Sequence, residues 1–277
     1  MKDSMPLDLA DQALFLFVPA DRPERFEKAA TAGADAVIID LEDAVAPEQK
    51  AAARQALRHA LSGRPLPGAV HVRVNGIGTD WHETDVSAVA SSLPVAGIML
   101  PKAESAFGLR AVREHLPPGM QLIALIETAR GLAKADEIAE AADRVAFGSV
   151  DFAADLGAAH ERESLLLARS RIVLAARLAG KPAPIDGVTL AIKDEQAVAN
   201  DARYGASLGF GGKLLIHPAQ IAPARRGLAP RAEDIAWAEK IVASVADGAA
   251  RAVDGTMVDA PVLARARQIL RKREHLQ

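Results

Sequence analysis

Glu127 and Asp151 each close an apolar run, Leu122-Ile123-Ala124-Leu125-Ile126 in one case and Val145-Ala146-Phe147-Gly148 in the other. They lie 24 positions apart (151 − 127), the length of one strand–helix–strand repeat. Neighbouring strands run about 4.8 Å apart, so two carboxylates at adjacent strand ends can reach one cation. Oxygen-only ligation, completed by water and a substrate group, suits Mg²⁺. The plainer use of either acid is to cap the following helix or to pair with a nearby base. Asp40, Glu42 and Asp43, which follow the run Ala36-Val37-Ile38-Ile39, shift the balance towards metal chemistry by adding acids at another strand end.

Two cations stand in the same pattern. Arg73 ends an otherwise apolar strand, where a guanidinium is costly to desolvate unless it meets an anion. Its partner is either Glu42 or Asp43 on the neighbouring strand end, or a substrate oxyanion, and the two roles are compatible. Lys102, after Gly97-Ile98-Met99-Leu100-Pro101, raises a competing chemistry, since a desolvated lysine can form a Schiff base with a carbonyl substrate. Lys213 opens the last strand at its amino end, away from such a site. The stretch Gly209-Phe210-Gly211-Gly212 precedes a strand and does not open a helix, so it reads as a tight turn and not as a phosphate loop. His217 is a packed, hydrogen-bonded histidine or a catalytic one. No nucleophile-elbow signature is present.

The elements that must position these groups alternate. Near-continuous apolar runs are the mark of buried parallel strands. Helical stretches separate them: 22–30, 49–61 (preceded by Pro47 and closed by Gly63), 81–91, 105–115, 131–142, 162–179 and about 194–208. Two more strands, Ile185 to Val188 and Lys213 to Pro218, bring the count to eight units in roughly 220 residues, the size of a (β/α)₈ barrel. A doubly wound open sheet is the other arrangement that fits. The expected division is a barrel over 1–228 and a helical extension over 229–277, with helices at 231–250 and 262–274 joined by a polar turn. The extension exceeds what a barrel needs and is expected to serve as a lid, an oligomer contact, or both.

The chain has 277 residues, half of them hydrophobic, enough for one well-buried core. Lys plus Arg number 33 against 36 Asp plus Glu, a net of −3, which argues against a chain built to hold nucleic acid or an anionic membrane. With no cysteine, thiolate metal sites and cysteine nucleophiles are excluded. Lys2, Asp3, Asp8 and Asp11 interrupt any apolar leader, so the expectation is a cytoplasmic protein.

At these residues the chain resembles a known family. Phe17-Val18-Pro19 through Arg22-Pro23-Glu24-Arg25, Gly33-Ala34-Asp35 through Asp40-Leu41-Glu42-Asp43-Ala44-Val45, and Val72-Arg73-Val74-Asn75 are similar to the citrate lyase β-subunit-like branch of the HpcH/HpaI aldolase superfamily. So are Leu100-Pro101-Lys102, Ile126-Glu127-Thr128, Gly148-Ser149-Val150-Asp151, Ile216-His217-Pro218 and Met257-Val258-Asp259-Ala260-Pro261. The resemblance implies a trimeric or hexameric (β/α)₈ barrel that binds Mg²⁺ through Glu127 and Asp151. It implies cleavage or formation of a carbon–carbon bond in a short 3-hydroxyacyl thioester of coenzyme A or of an acyl carrier protein. In that reading Arg73 contacts the thioester carbonyl or enolate, with Glu42 and Asp43 as its supporting shell. Glu42 also supports the metal's water shell, and Asp259 reaches a neighbouring subunit's site as acid or base. Arg22 is a contact for substrate or coenzyme A phosphates. Two departures stand out: Val150 where many relatives carry an acid, and Thr256 where a lysine is frequent. The resemblance favours a stand-alone Mg²⁺-dependent acyl-CoA lyase acting on citramalyl-CoA or malyl-CoA; a citrate lyase β subunit, a Lys102-dependent aldolase and a non-catalytic acyl-CoA binder are the alternatives.

Overall fold

In a computed structural model, which describes residues 7–62, 65–245, 252–253 and 256–276, eight parallel strands pair side by side until the first meets the last. They are β1 (Leu14–Pro19), β2 (Ala36–Asp40), β3 (Ala69–Arg73), β4 (Gly97–Leu100), β5 (Gln121–Ile126), β6 (Arg144–Phe147), β7 (Ile185–Asp186) and β8 (Gly212–Leu215). Closure sets Leu14 of β1 opposite Lys213 and Leu16 opposite Leu215. The molecule is therefore a (β/α)₈ barrel with a C-terminal helical extension, and the open sheet is excluded.

The strands are apolar on both faces because both faces are covered. Phe15, Ile38, Met99, Ile123, Leu125 and Leu214 point inward and fill the barrel. The alternate residues, among them Leu16, Ile39, Val72, Ile98, Leu122 and Phe147, pack outward beneath the helices. The main outer helices are Lys50–Leu61, His82–Ser92, Ala106–His115, Leu166–Leu178 and Glu195–Leu208. Ser105 and Asp194 cap two of them by accepting from the Gly108 and Ala197 amides, each worth about 1 kcal/mol.

Several elements differ from the sequence expectation. The helix expected over 131–142 is two, Ala129–Ala133 and Ala135–Ala141, jointed at Lys134, whose ψ of 21° leaves the helical range. The helix expected from Arg162 starts at Leu166, because Arg162 is drawn to Asp201 at 2.8 Å and lies over the Tyr204 ring. The first helix begins with a 3₁₀ turn, Pro23–Arg25, before Phe26–Ala30. β7 stops after Asp186, where the Gly187 carbonyl accepts from the buried Lys213 ammonium. β8 stops at Leu215, where the Ile216 amide donates to the Gln220 side chain. Helices Ser149–Leu156 and Ile221–Leu228 are additional to the expected set.

The extension consists of helices Ala232–Val245 and Ala260–Leu276 packed about Ala238, Ile241, Val258 and Ala266. Ala252–Val253 pairs antiparallel with Thr256–Met257 between them. Gly63, residues 246–250, Asp254, Gly255 and the Thr256 side chain fall outside the described residues.

The amino ends of the strands are closed by a buried cation. The Arg144 guanidinium donates to the carbonyls of Leu9 and Gln12, each at 2.6 Å, and of Ala183 at 2.8 Å. Beside it, His71 shares a 3.0 Å hydrogen bond with Gln12 Oε1 and has no exposed surface. Burial, with the Arg144 charge, pushes the His71 imidazole down from 6.5 to about 4. Unfolding returns it to the ordinary value, so between these limits the unfolded chain binds a proton that the folded chain refuses. The resulting stability is present in full above about pH 6.5 and lost as the pH falls towards 4. His71→Gln should remove this part of the acid sensitivity, flattening the decline of unfolding free energy over that window by roughly 3 kcal/mol. Urea melts at pH 4.5, 5.5 and 7 check it; parallel pH profiles for the two proteins would refute it.

Candidate active site at the carboxyl ends of the strands

A cavity of about 410 Å³ opens at the carboxyl ends of the strands and is lined by Phe17, Asp40, Asp43, Arg73, Leu125, Glu127, Gly148, Asp151, Val188 and Ile216, among others. In this architecture that is the end where loops from several strands assemble a site.

Register builds its first part. β2 and β3 set Asp40 directly opposite Arg73. The guanidinium makes a two-pronged contact with the Asp40 carboxylate, Nε to Oδ1 at 2.7 Å and Nη2 to Oδ2 at 2.6 Å. Glu42 at 3.1 Å and Asp43 at 3.4 Å complete its surroundings, and the Phe17 ring lies 4.9 Å beneath it. The expected partners are present, but Asp40 is the principal one, because only it stands at the paired strand position. Burial opposes the Arg73 charge; Asp40, then Glu42 and Asp43, outweigh it and raise its pKa above the ordinary arginine value. Asp40 also accepts the amides of Glu42 at 2.9 Å and Ala44 at 3.1 Å, which turns the chain so that Glu42 and Asp43 face the same site.

The second part is Glu127, only 1 % exposed at the end of β5. Its Oε1 accepts the Lys102 backbone amide at 2.8 Å. Its Oε2 is buried with no hydrogen-bond partner, whereas the buried Oε2 of Glu42 lies 3.1 Å from Arg73 Nη1 as an ion pair. Burial, then the charges of Glu42 and Asp151, push the Glu127 carboxyl up to about 8. Burial likewise raises Glu42, against the pull of Arg73 and Lys102. Gly148 is what allows Glu127 its place, since a Cβ there would stand 2.3 Å from Glu127 Oε2. Asp151 is not at a strand end as expected: β6 stops at Phe147, and Asp151 occupies the first turn of Ser149–Leu156, still facing the cavity.

The structure thus brings together Arg73, Glu42, Asp43, Glu127 and Asp151, with Lys102 joined through Nζ to Glu42 Oε1 at 2.5 Å. It does not bring Arg22 to them. That side chain is exposed beside Asp21, 4.0 Å away, outside the cavity lining. Asp259 is also elsewhere, capping the last helix through the Val262 amide at 3.0 Å. Pro261, Ala264 and Arg265 line a cleft with Ala183, Pro184 and Gly209, at the amino ends of β7 and β8. Within one chain Asp259 and the strand-end cavity face opposite ways. His217 is exposed, not packed, and caps a turn by accepting the Ala219 amide. Sequence reading missed Asp40 as the arginine's partner and gave Gly148 no role beside Glu127. The signal for Asp40 was its place at the last position of its run, level with Arg73 in the next.

An orphaned buried carboxylate oxygen, Glu127 Oε2, within a cluster of acids is the mark of a place for a cation. Among the described residues no set of three or more His, Cys, Asp and Glu side chains is arranged to enclose a metal. The donors are oxygens alone and few, so water and a further molecule must supply the rest. That suits a hard ion such as Mg²⁺, which keeps waters and takes one or two carboxylates.

Fold and site together define a barrel enzyme built around acids and one anchored arginine. A family model described as HpcH/HpaI aldolase/citrate lyase matches residues 13–218, and the chain belongs to that family. A citrate lyase subunit beta-like protein of Mycobacterium tuberculosis is 44 % identical, over 93 % of this chain and 94 % of its own. A (3S)-malyl-CoA thioesterase of Cereibacter sphaeroides is 36 % identical, covering 94 % and 93 %. The mitochondrial citramalyl-CoA lyase of Homo sapiens is 33 % identical, covering 91 % and 82 %. The crystal structure of CitE from M. tuberculosis with magnesium, acetoacetate and coenzyme A superposes with a TM-score of 0.84 at 39 % identity, covering 96 % of this chain and all of that one. No helix among the described residues is long and apolar enough to cross a membrane.

Removing one member of a buried, hydrogen-bonded ion pair leaves the other charge uncompensated, a loss of about 3–5 kcal/mol. Asp40→Ala should therefore destabilise the fold by that amount, whereas Asp43→Ala, at a half-exposed carboxylate, should cost less than about 1 kcal/mol. Denaturant unfolding of the two variants decides it, and equal losses would show that Asp40 is not the anchor.

Proposed function

We propose that this chain is a Mg²⁺-dependent carbon–carbon lyase that cleaves, or in reverse forms, a short 3-hydroxyacyl-CoA thioester bearing a further carboxylate, such as citramalyl-CoA or malyl-CoA. The observation that carries the reading is Glu127: a buried carboxylate with one free oxygen, beside Asp151 and across the cavity from Arg73. Support for coenzyme A and magnesium comes from the relatives, through the CitE complex and the citramalyl-CoA lyase.

Glu127 and Asp151 would hold the ion, and Glu42 would take hydrogen bonds from its water shell. Bound magnesium supplies Lewis acidity to the substrate's carboxylate and 3-oxygen. The chain's own residues do the rest. The 3-hydroxyl proton passes to water in the cavity and the bond between C2 and C3 breaks: C3 becomes the carbonyl of an oxo acid, and the electron pair of the broken bond stays on C2 as a thioester enolate. Arg73 stabilises that developing negative charge, and its Asp40 anchor holds it in position before the reaction begins. A proton on C2 then completes the acetyl thioester. Asp259 of a neighbouring copy is the proposed donor, and the same residue removes that proton in the reverse direction. Its distance from this chain's own site favours supply in trans within a homotrimer or hexamer, and the extension that carries it can exclude water. Asp43, on the cavity wall, contacts the polar end of the substrate. Arg22, at the rim after β1, is assigned to the coenzyme's phosphates.

A second reading is favoured by the thioesterase among the relatives. Hydrolysis of the same thioester would yield a free hydroxy acid and coenzyme A in place of an oxo acid and acetyl-CoA. A stable complex with an acyl carrier protein and a transferase subunit would instead mark a citrate lyase β subunit.

Purified protein with MgCl₂ should release an oxo acid, trapped as its hydrazone, from citramalyl-CoA or malyl-CoA. Glu127→Ala and Asp151→Ala should each lower that rate by at least about a hundredfold while circular dichroism shows the fold intact. Near-normal rates in either variant would overturn the metal assignment. Free thiol without oxo acid would replace the lyase by the thioesterase reading. Trapping of substrate on Lys102 by borohydride, with activity surviving EDTA, would replace it by Schiff-base chemistry.

A further inference from the structure

Lys102 is the one non-glycine residue with positive φ among the described residues, at 47°. For a residue with a side chain, that conformation is unfavourable by on the order of 1 kcal/mol. It places both ends of the residue on the acid cluster. The backbone amide donates to Glu127 Oε1 at 2.8 Å, and the ammonium sits 2.5 Å from Glu42 Oε1 and 3.9 Å from Glu127 Oε1. One residue thus clamps two carboxylates that repel each other.

The clamp is also free to leave. Its side chain is 46 % exposed, whereas those of Glu42 and Glu127 are 8 % and 1 % exposed. The lysine stem passes Gly76, where a Cβ would stand 3.9 Å from its Cδ. Beyond lies a second cavity of about 730 Å³ between the helices that follow β3 and β4, with Lys102 and Glu104 in its wall. Arg73 has no such freedom, being 9 % exposed and bound in two-pronged fashion to Asp40.

Five carboxylates (Asp40, Glu42, Asp43, Glu127 and Asp151) therefore lie about Arg73, Lys102 and Lys50; Lys50 is buried and held by the Leu41 and Glu42 carbonyls, so Lys102 is the one of the three with an exposed side chain. We propose that Lys102 is a resident cation for the Glu42–Glu127 pair, holding the acids in place before Mg²⁺ binds and yielding its position to the ion. The inference rests on the metal reading above. It adds that the site is kept assembled, and kept from binding its metal too tightly, by a side chain of the same chain competing for the same oxygens.

The test is MgCl₂ titrated by calorimetry into the unaltered protein and into Lys102→Met, which keeps the backbone amide and the length of the side chain but removes the charge. Lys102→Met should bind Mg²⁺ about tenfold more tightly, since a positive charge beside the ion's oxygens is gone. Its metal-free form should melt lower than the unaltered protein, and saturating Mg²⁺ should close that gap. Equal or weaker affinity overturns the inference. Should the variant not fold, the unaltered protein suffices: acetylation of Lys102, followed by mass spectrometry, should speed up when Mg²⁺ is added, and unchanged or slower labelling counts against release. Glu127→Ala separates the two readings. If it binds Mg²⁺ as the unaltered protein does, or if neither binds, the metal assignment itself fails, whatever Lys102→Met does.

Discussion

The pairing of Arg73 with Asp40 is the contact on which the site depends. It joins adjacent strands at their last paired position, so it exists only because β2 and β3 lie in parallel register within a closed barrel. Once made, it does three things. It neutralises a guanidinium that would be costly to bury alone. It fixes that guanidinium against Phe17 at the cavity wall. Through Asp40 it also gathers the amides of Glu42 and Ala44, turning the next acids towards the same cavity. Because one carboxylate nearly satisfies the arginine, the acids that follow are left in excess. The demand for a cation arises from that excess, and from the burial of Glu127 within reach of it.

Much of this was legible in the sequence because buried parallel strands read as uninterrupted apolar runs, and their terminal residues stand out against them. The barrel, the roles open to Glu127 and Arg73, and the gathering of acids near Glu42 all follow from runs and their ends. What was not legible has a common physical cause: it depends on where strands stop. β6 ends early and a short helix carries Asp151. β7 is two residues long, the Gly187 carbonyl accepting from Lys213 where the strand stops, and Gly187 lies so close to Ser149 that a Cβ would meet Oγ at 2.2 Å. Gly148 reads as an ordinary turn glycine until Glu127 is seen packed against it. Asp40 was passed over for Glu42 and Asp43 because all three are acids in one stretch, and only cross-strand register tells them apart.

The two ends of the barrel each hold a buried arginine, and they are satisfied in opposite ways. Arg144 is surrounded by the carbonyls of Leu9, Gln12 and Ala183, with the Phe15 ring 5.5 Å away. Those acceptors are neutral, although the charges of Asp11 and Asp35 also act on the guanidinium, and burial together with the Arg144 charge keeps the neighbouring His71 uncharged. Arg73 is surrounded by carboxylates, so its end is net negative. The same residue type therefore serves as a structural plug at one end and as part of a cation-attracting site at the other. The difference lies in the charge of the acceptors, not in the depth of burial.

That polarity bears on the extension. The last helix lies along the amino-end face, where Arg177, Lys181, Arg265 and Arg271 line the cleft between it and the barrel. Its capping acid, Asp259, is exposed there and far from the acids of its own site. A general acid is of use only within hydrogen-bond reach of the carbon it protonates. In the proposed reaction Glu127 and Asp151 would be occupied with the ion and Arg73 with the enolate, so a further acid would carry the proton to carbon. That acid is, in the same proposal, Asp259 of a second copy, whose extension would cross the carboxyl-end face. Supply from a second copy would keep the step within the protein and would give the extension's length a chemical reason.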